Sequence, residues 1–530
     1  MEQISPELEA FYPACKSFLK KEVWERIRGL ISVKPEIFPD FLAHGLEGIE
    51  LPEFLADLAR LEWNYRQTSS NQNQIPKDVS HLQINPTVHL LQLGWKNLPS
   101  ILNPSKGSPP VKPEKGKGFV LLWKDPHGGE AKVQTAASED LLVLKMLAEG
   151  ISSEAVAAEG KVPVGAVDRM IDSAVERGIL LRPPSFIRRD AAAFSSGRFG
   201  EEQFLASPVF TLQWHITQSC DLRCKHCYDR SQRSSLSLDQ GVAVLDDLRA
   251  FCRSRNVRGQ VSFSGGNPLL HPRFLDLYRA AGESGFSTAV LGNPAPGERI
   301  EEILAIQKPV YFQVSLEGLP EHNDSVRGEG HFERVMVFLK ALRERGVYSM
   351  VMLTLTRDNL DQILPLAQFL RERADLFTFN RLSQVGEGTK LSLPDPKTYA
   401  KFLEDYVEAA KTNPVLGLKD NLLNIVYRQK GLGLFGGCTG YGCGAAFNFM
   451  ALLPDGEVHA CRKFPSLMGN IFEQRLGDIY DSEKARRYRA GSLGCSSCEV
   501  RPVCGGCPAV IFGSGLDPFQ DRDPFCFIRS

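Results

Sequence analysis

The chain has 530 residues, 43% of them hydrophobic, and carries 62 Lys and Arg against 63 Asp and Glu. Three or four domains are expected at that length, and the balanced charge provides no field to recruit nucleic acid or an anionic membrane. No apolar run reaches the roughly 18 residues of a spanning helix, so a cytoplasmic protein with neither membrane nor nucleic-acid partners is expected.

The opening third, 1–102, reads as helical. Phe11, Cys15, Phe18, Val23, Ile27 and Leu30 recur near one helix face, and Leu51, Phe54, Leu55, Leu58 and Leu61 form a second face. Asn103 to Lys117, with four prolines among glycines and lysines, reads as a linker. At 118–181 two strand-forming runs, Phe119 to Trp123 and Lys132 to Thr135, flank a turn at Asp125 to Gly129, and three helical segments follow. A hairpin plus three helices is winged-helix-like. Ala137 to Leu181 holds eight acidic and four basic residues, which argues against a phosphate-binding surface and hence against a redox-sensing DNA regulator. Arg182 to Pro208 reads as a second connector. Over 209–385 short apolar runs alternate with amphipathic segments in six strand-helix units, which implies an α/β fold whose parallel sheet is closed or nearly closed. Its loops at the carboxyl ends of the strands are the usual place for chemistry.

Thirteen cysteines in a reducing compartment are better read as metal ligands than as disulfides, and they are unevenly spread. Residues 1–219 hold only Cys15, whereas 438–530 hold eight. After the first strand of the alternating region stand Cys220, Cys224 and Cys227, three soft thiolates in one loop. That spacing lets the loop ligate three irons of a four-iron cluster and leave the fourth open. A structural zinc site wants a fourth ligand, and His226, between two cysteines, is poorly placed to serve. Cys15 and Cys252 fall on apolar helix faces and read as packing residues.

The Cys220–Cys224–Cys227 loop, its place after the first strand and the strand-helix alternation resemble the radical S-adenosylmethionine enzymes. The resemblance implies a partial (β/α)6 barrel over 209–385. It also implies S-adenosylmethionine chelated to the open iron and cleaved by one electron to a 5'-deoxyadenosyl radical that takes a hydrogen atom from the substrate. Ser264-Gly265-Gly266-Asn267-Pro268, after the second strand, is similar to the family's glycine-rich segment for the methionyl ammonium, with Asn267 where the family more often has Glu. By the same resemblance Ser315 and Arg327 contact the methionyl carboxylate and ribose, Tyr228 lies near the adenine, and Asn380 at the end of the sixth strand is a further cofactor contact.

The cysteines of 438–530 resemble the SPASM extension of peptide- and protein-modifying members of that family, with two residues rather than three between Cys504 and Cys507. The resemblance implies one auxiliary cluster on Cys438, Cys443, Cys461 and Cys507 and a second on Cys495, Cys498, Cys504 and Cys526. That makes three [4Fe-4S] clusters, one of them binding S-adenosylmethionine, with the auxiliary pair carrying electrons away from the product radical. Residues 386–437 are expected as a helical bridge. The 118–181 module resembles the recognition element of maturases of ribosomally made peptides, where a leader peptide adds as a strand to the hairpin edge, and the Gly-Gly-Asn variant is faintly similar to selenobiotic-type maturases. The implied partners are a precursor peptide with a leader segment and a reducing donor such as ferredoxin or flavodoxin. The alternatives are an anaerobic sulfatase-maturating type, oxidising Cys or Ser to formylglycine, and a non-catalytic iron-sulfur carrier. Neither the bond formed nor a catalytic acid or base can be read from these residues.

Overall fold

The computed structural model of the protein describes residues 7–30, 35–45, 48–70, 75–102, 112–190, 193–194 and 201–528. The chain divides into two compact units, Met1–Pro184 and Ser185–Ser530. The five segments distinguished in the sequence fall within these two units, and the packing of each unit shows how.

In the first unit the strands are β1 (Gln83–Ile84), β2 (His89–Lys96), β3 (Glu114–Lys124), β4 (Ala131–Thr135) and β5 (Leu180–Leu181). β2, β3 and β4 form one antiparallel sheet, and β1 pairs with β5. Because side chains alternate across a strand, β3 serves two cores. Val120 and Leu122 pack with Tyr12, Trp24, Phe38 and the buried face of helix Leu55–Ser70, while Leu121 and Trp123 pack with Val143, Met146, Val167 and Ile171 of the helices that follow. The expected helical region and winged module therefore share a sheet and fold as one body.

Several expectations for this unit need correction. Region 1–102 is not wholly helical, since β1 and β2 lie within it. Leu90, Leu91 and Leu93 have strong helix propensity, and pairing with β3 overrides it. The single helix face from Phe11 to Leu30 is broken into Glu7–Phe11, Pro13–Ser17 and Lys21–Leu30, with Pro13 opening the second helix. The expected linker Asn103 to Lys117 lies outside the described residues up to 111, and its end, from Glu114, belongs to β3. The expected hairpin and the three helices, Ser138–Glu149, Ser153–Gly160 and Val164–Glu176, are present, with β2 as an additional third strand.

The second unit is built on six parallel strands in sequence order: β6 (Val209–Thr217), β7 (Arg258–Gly265), β8 (Ser287–Leu291), β9 (Phe312–Ser315), β10 (Ser349–Leu355) and β11 (Leu376–Arg381). Helices fill the gaps, as the alternation requires. Helix Leu238–Ser254 starts at Ser237, whose hydroxyl accepts from Gln240 N while the Gln240 side chain returns to Ser237 N, a capping box. It buries Val244, Leu245, Leu248, Phe251 and Cys252 at helical spacing.

The sheet does not close on itself. The free edge of β6 is taken by β12 (Phe449–Leu452), which runs parallel to it from Phe449 opposite Thr211 to Leu452 opposite Trp214, and β13 (Glu457–His459) and β14 (Leu467–Asn470) extend the sheet antiparallel. An exposed strand edge invites pairing, and here the cysteine-rich region supplies it. One continuous core runs from Ile187 to Phe525, so 209–385, 386–437 and 438–530 make one body. The expected connector Arg182 to Pro208, described apart from 191–192 and 195–200, joins that body from Ser185. Ile187 is fully buried, and Arg189 Nη2 donates to the carbonyls of Tyr441 and Cys443 at 3.0 and 2.5 Å.

Candidate functional site

The Cys220–Cys227 loop leaves the carboxyl end of β6 and is tied down by backbone bonds. Lys225 N donates to Val326 O at 3.1 Å, Cys227 N to Cys224 O at 3.2 Å, and Glu387 N to Cys227 O at 2.9 Å. The loop faces a cavity of about 370 Å³ whose walls include Cys220, Cys224, Cys227, Tyr228, Gly265, Gly266, Asn293, Ser315, Arg327 and Asn380. Residues spread over 160 positions of sequence are thus brought to one space at the carboxyl ends of β6 to β11. Burial raises the Cys220 and Cys224 thiol pKa values, and at Cys224 the Arg327 guanidinium opposes the rise.

Gly265 and Gly266 form a cradle that no side chain could share. A Cβ on Gly265 would stand 2.1 Å from Thr217 O, and one on Gly266 2.3 Å from Ser219 O. Both contacts are to backbone, where Gly266 N and Asn267 N donate to Thr217 O and Ser219 O at 2.9 and 2.7 Å. The two glycines thus clamp the end of β7 to the segment leading into Cys220, and in doing so leave room for a compact ligand group in the cavity. Asn267 does not reach that cavity, a correction to its expected cofactor contact. It is 4% exposed, and its Nδ2 donates to Asp221 Oδ1 at 2.9 Å. Asn293, which sequence reading passed over, shares that carboxylate at 2.6 Å and does line the cavity. A Glu at 267 would oppose Asp221, which accounts for the amide at this position.

Arg327 lines the cavity and is also paired within the chain. Its Nε and Nη2 donate to Glu317 Oε1 at 2.9 and 2.6 Å, and its Nη1 lies 3.6 Å from Cys224 Sγ. One edge of the guanidinium is committed to Glu317 and is not available for a cofactor carboxylate. Glu317 further accepts from Thr354 N at 2.8 Å and sits 3.3 Å from His226 Nε2. Burial alone would raise the Glu317 pKa, but His226 and Arg327 outweigh it and hold the carboxylate below its usual range. Burial lowers the His226 pKa, and the Glu317 carboxylate opposes that fall. Tyr228 lies 3.3 Å from His215 Nε2 and beneath Arg462, 5.5 Å from its ring, and burial pushes its phenol pKa up to about 12. Ser315 and Asn380 line the cavity, Asn380 with its amide on Met352 Sδ at 3.1 Å.

The eight C-terminal cysteines fall into two neighbourhoods. Burial raises the Cys443 thiol pKa, and Cys438, Cys507 and Cys461 lie close enough to raise it further. Burial likewise pushes Cys461 up to about 11, with Cys507 and Cys438 adding to the rise. In the other neighbourhood, burial pushes Cys495 up to about 11, helped by Cys498 and Cys526, and raises Cys504 beside Cys498 and Cys495. Thiolates on a single zinc stand about 3.8 Å apart, from a Zn–S bond of about 2.3 Å in a tetrahedron. Among the described residues no trio of His, Cys, Asp or Glu converges to hold one metal ion. Two neighbourhoods of four soft thiols, of which only Cys438 is exposed, suit iron-sulfur clusters.

The first of these neighbourhoods opens on a second cavity, of about 420 Å³, with Cys438, Cys443, Cys461 and Cys507 in its walls. It adjoins the first cavity, since Leu291, Gln313, Asn380, Arg381, Arg462 and Lys463 line both. Tyr311, Lys419, Arg462 and Lys463 are wall residues that sequence reading missed. The Arg462-Lys463 pair directly after Cys461 was the available signal.

An open α/β sheet with three thiols at the end of its first strand, and eight more in a strand-extended C-terminal region, defines an iron-sulfur protein of the barrel type. Residues 214–370 match the Radical SAM superfamily, and 443–508 match an iron-sulfur cluster-binding domain, SPASM. The mycofactocin maturase of Mycobacterium ulcerans is 30% identical over 352 residues, 61% of this chain and 90% of the relative. The Fe-coproporphyrin III synthase of Methanosarcina barkeri is 30% identical over 378 residues, 62% and 90% of the two chains. In fold, the crystal structure of Streptococcus suis SuiB aligns with a TM-score of 0.50 at 20% identity, covering 78% of this chain and 97% of that one. The chain belongs to the radical SAM superfamily and carries a SPASM domain, which together imply iron-sulfur clusters and S-adenosylmethionine binding. No helix among the described residues is long and apolar enough to cross a membrane.

Proposed function

We propose that the protein is a radical S-adenosylmethionine peptide maturase, an oxidoreductase that modifies a ribosomally made precursor. The observation that carries this reading is the pair of adjoining cavities, one walled by Cys220, Cys224 and Cys227 and the other by Cys438, Cys443, Cys461 and Cys507. When bound, S-adenosylmethionine and its cluster supply a 5'-deoxyadenosyl radical able to take a hydrogen atom from an unactivated position. The chain's own contribution is positional. Cys220, Cys224 and Cys227 hold the first cluster, the Gly265-Gly266 clamp leaves room for the methionyl amine, and Tyr228 and Ser315 bound the space beside it. Cys438, Cys443, Cys461 and Cys507 hold one auxiliary cluster facing the substrate space, and Cys495, Cys498, Cys504 and Cys526 hold a second. A ferredoxin- or flavodoxin-type protein delivers the electron.

The peptide assignment is supported by the maturase among the relatives and by the three-stranded sheet with three helices, whose edge strands suit addition of a leader strand. The equal identity to an Fe-coproporphyrin III synthase makes a tetrapyrrole the competing substrate. Anaerobic reconstitution should load about twelve irons per chain, the sum for three four-iron clusters. With reductant and S-adenosylmethionine the loaded protein should release 5'-deoxyadenosine. It should also remove a pair of hydrogens from the peptide encoded by an adjacent short reading frame, as read by mass spectrometry. Conversion of Fe-coproporphyrin III with no change in the peptide would overturn the peptide reading.

A further inference from the structure

The larger cavity has an electrostatic character that its thiols do not explain. Among its lining residues Asp420 is the only carboxylate, and it is already engaged by Arg381 Nε at 2.8 Å and Leu422 N at 2.9 Å. Arg381 in turn gives its two terminal nitrogens to Asp523 at 2.7 Å, so that pairing is closed. Lys419, Arg462 and Lys463 also face the cavity, and among the described residues none of the three has a carboxylate within ion-pair distance. Arg462 is held by a neutral partner, Ser264 Oγ at 2.7 Å, and lies over the Tyr228 ring. A guanidinium fixed by one nitrogen keeps its other donors for a ligand. Arg462 and Lys463 line the cofactor cavity as well, so an anion bound by them would lie beside the reacting position.

We propose that Lys419, Arg462 and Lys463 form a carboxylate-recognition site, and that the peptide residue brought between the two cavities carries a side-chain or C-terminal carboxylate. This rests on the peptide reading above and narrows it to a substrate class. The simplest competing role for the three cations is to balance the charge of the thiolates at Cys438, Cys461 and Cys507. That role would show in iron content and in the auxiliary reduction potential, and would create no preference among peptides.

The test uses the reconstituted full chain and three fluorescein-labelled pentapeptides of otherwise identical sequence. One has a central Glu and an amidated end, one a central Gln and an amidated end, and one a central Gln and a free C-terminal carboxylate. A charge-assisted contact corresponds to about tenfold or more in affinity. One or both of the carboxylate peptides should therefore bind at least about tenfold more tightly than the Gln amide by fluorescence anisotropy, and which one does so separates side chain from C-terminus. In K419Q/K463Q with wild-type iron content the preference should fall to within about twofold, while K419R/K463R retains it. Should the double variant lose iron, K463Q is read in the same way. Equal binding of all three peptides by the wild type, or a preference untouched by the Gln variants, overturns the proposal. Release of 5'-deoxyadenosine by the same wild-type preparation is measured separately. Its absence would sink the radical reading, whereas its presence without a carboxylate preference sinks only the carboxylate site.

Discussion

Glu317 and Arg327 show how a site residue can be visible in sequence while its partner is not. Arg327 is singled out by resemblance and Glu317 is not, and only the structure shows that the guanidinium is shared between this buried carboxylate and the Cys224 sulfur. Breaking one half of a buried pair strands the other charge, at a cost of about 3–5 kcal/mol. Glu317→Gln and Arg327→Gln should each lower the melting temperature markedly, and the double variant should lose less than the sum of the two. Additive losses in the four melts would show that the pair is not coupled. A second expectation at this scale concerns pH. Burial lowers the pKa of His215 to about 3 and of His331 to about 4, below the ordinary imidazole value of 6.5. Between those limits the unfolded chain binds more protons than the folded one, so stability is complete above about pH 6.5 and falls as acid is added. Each histidine contributes up to about 1.4 kcal/mol per pH unit within that window. Melts between pH 7 and pH 5 should show the decline, and His331→Gln should flatten it. A slope unchanged in that variant would remove His331 from the account.

The decisive contacts between elements are those the alternation pattern could not predict. Each of the six parallel strands is recognisable in sequence as a short apolar run, with observed bounds within three residues of that run, as with Arg258–Gly265 around Val261 to Phe263. Their order follows from connection rules. β2 and β12 were not recognisable, because their strand character comes from pairing with β3 and β6 rather than from their own residues. β12 sits between β6 and β13 and carries the cysteine-rich region onto the barrel sheet. Ala451→Pro removes a ladder donor in an interior strand. It should cut the iron bound per reconstituted chain by at least about one third, the share of one cluster among three, with weakened strand signal in circular dichroism. Wild-type iron content in this variant would mean that the β6–β12 pairing is not what holds the auxiliary cysteines in place.

At the scale of the whole molecule the chain is two units. The first unit has its own packed clusters around β3, and the second, built on one core from Ile187 to Phe525, holds within its residues every cysteine assigned to a cluster. Deletion of residues 1–184 should therefore leave iron content and 5'-deoxyadenosine release within about twofold, while modification of a leader-bearing precursor is lost. A shortened chain that modifies the precursor as well as the full one would dissociate the first unit from peptide recognition.

Sequence alone determined the chemistry-bearing positions that are close in the chain. Cys220, Cys224 and Cys227 lie within one loop, and the Cys495, Cys498, Cys504 and Cys507 spacing is equally local, so covalent proximity made them legible. It also determined the strand-helix rhythm, since periodicity is a local property. The tertiary structure decided everything that depends on residues far apart in sequence meeting. It pairs Asn267 with Asp221, commits Arg327 to Glu317, splits β3 between two cores and gathers Lys419, Arg462 and Lys463 around one cavity. Such meetings are fixed by the packing of whole elements, and no local pattern of apolar and polar residues encodes which side chains will face each other across a shared space.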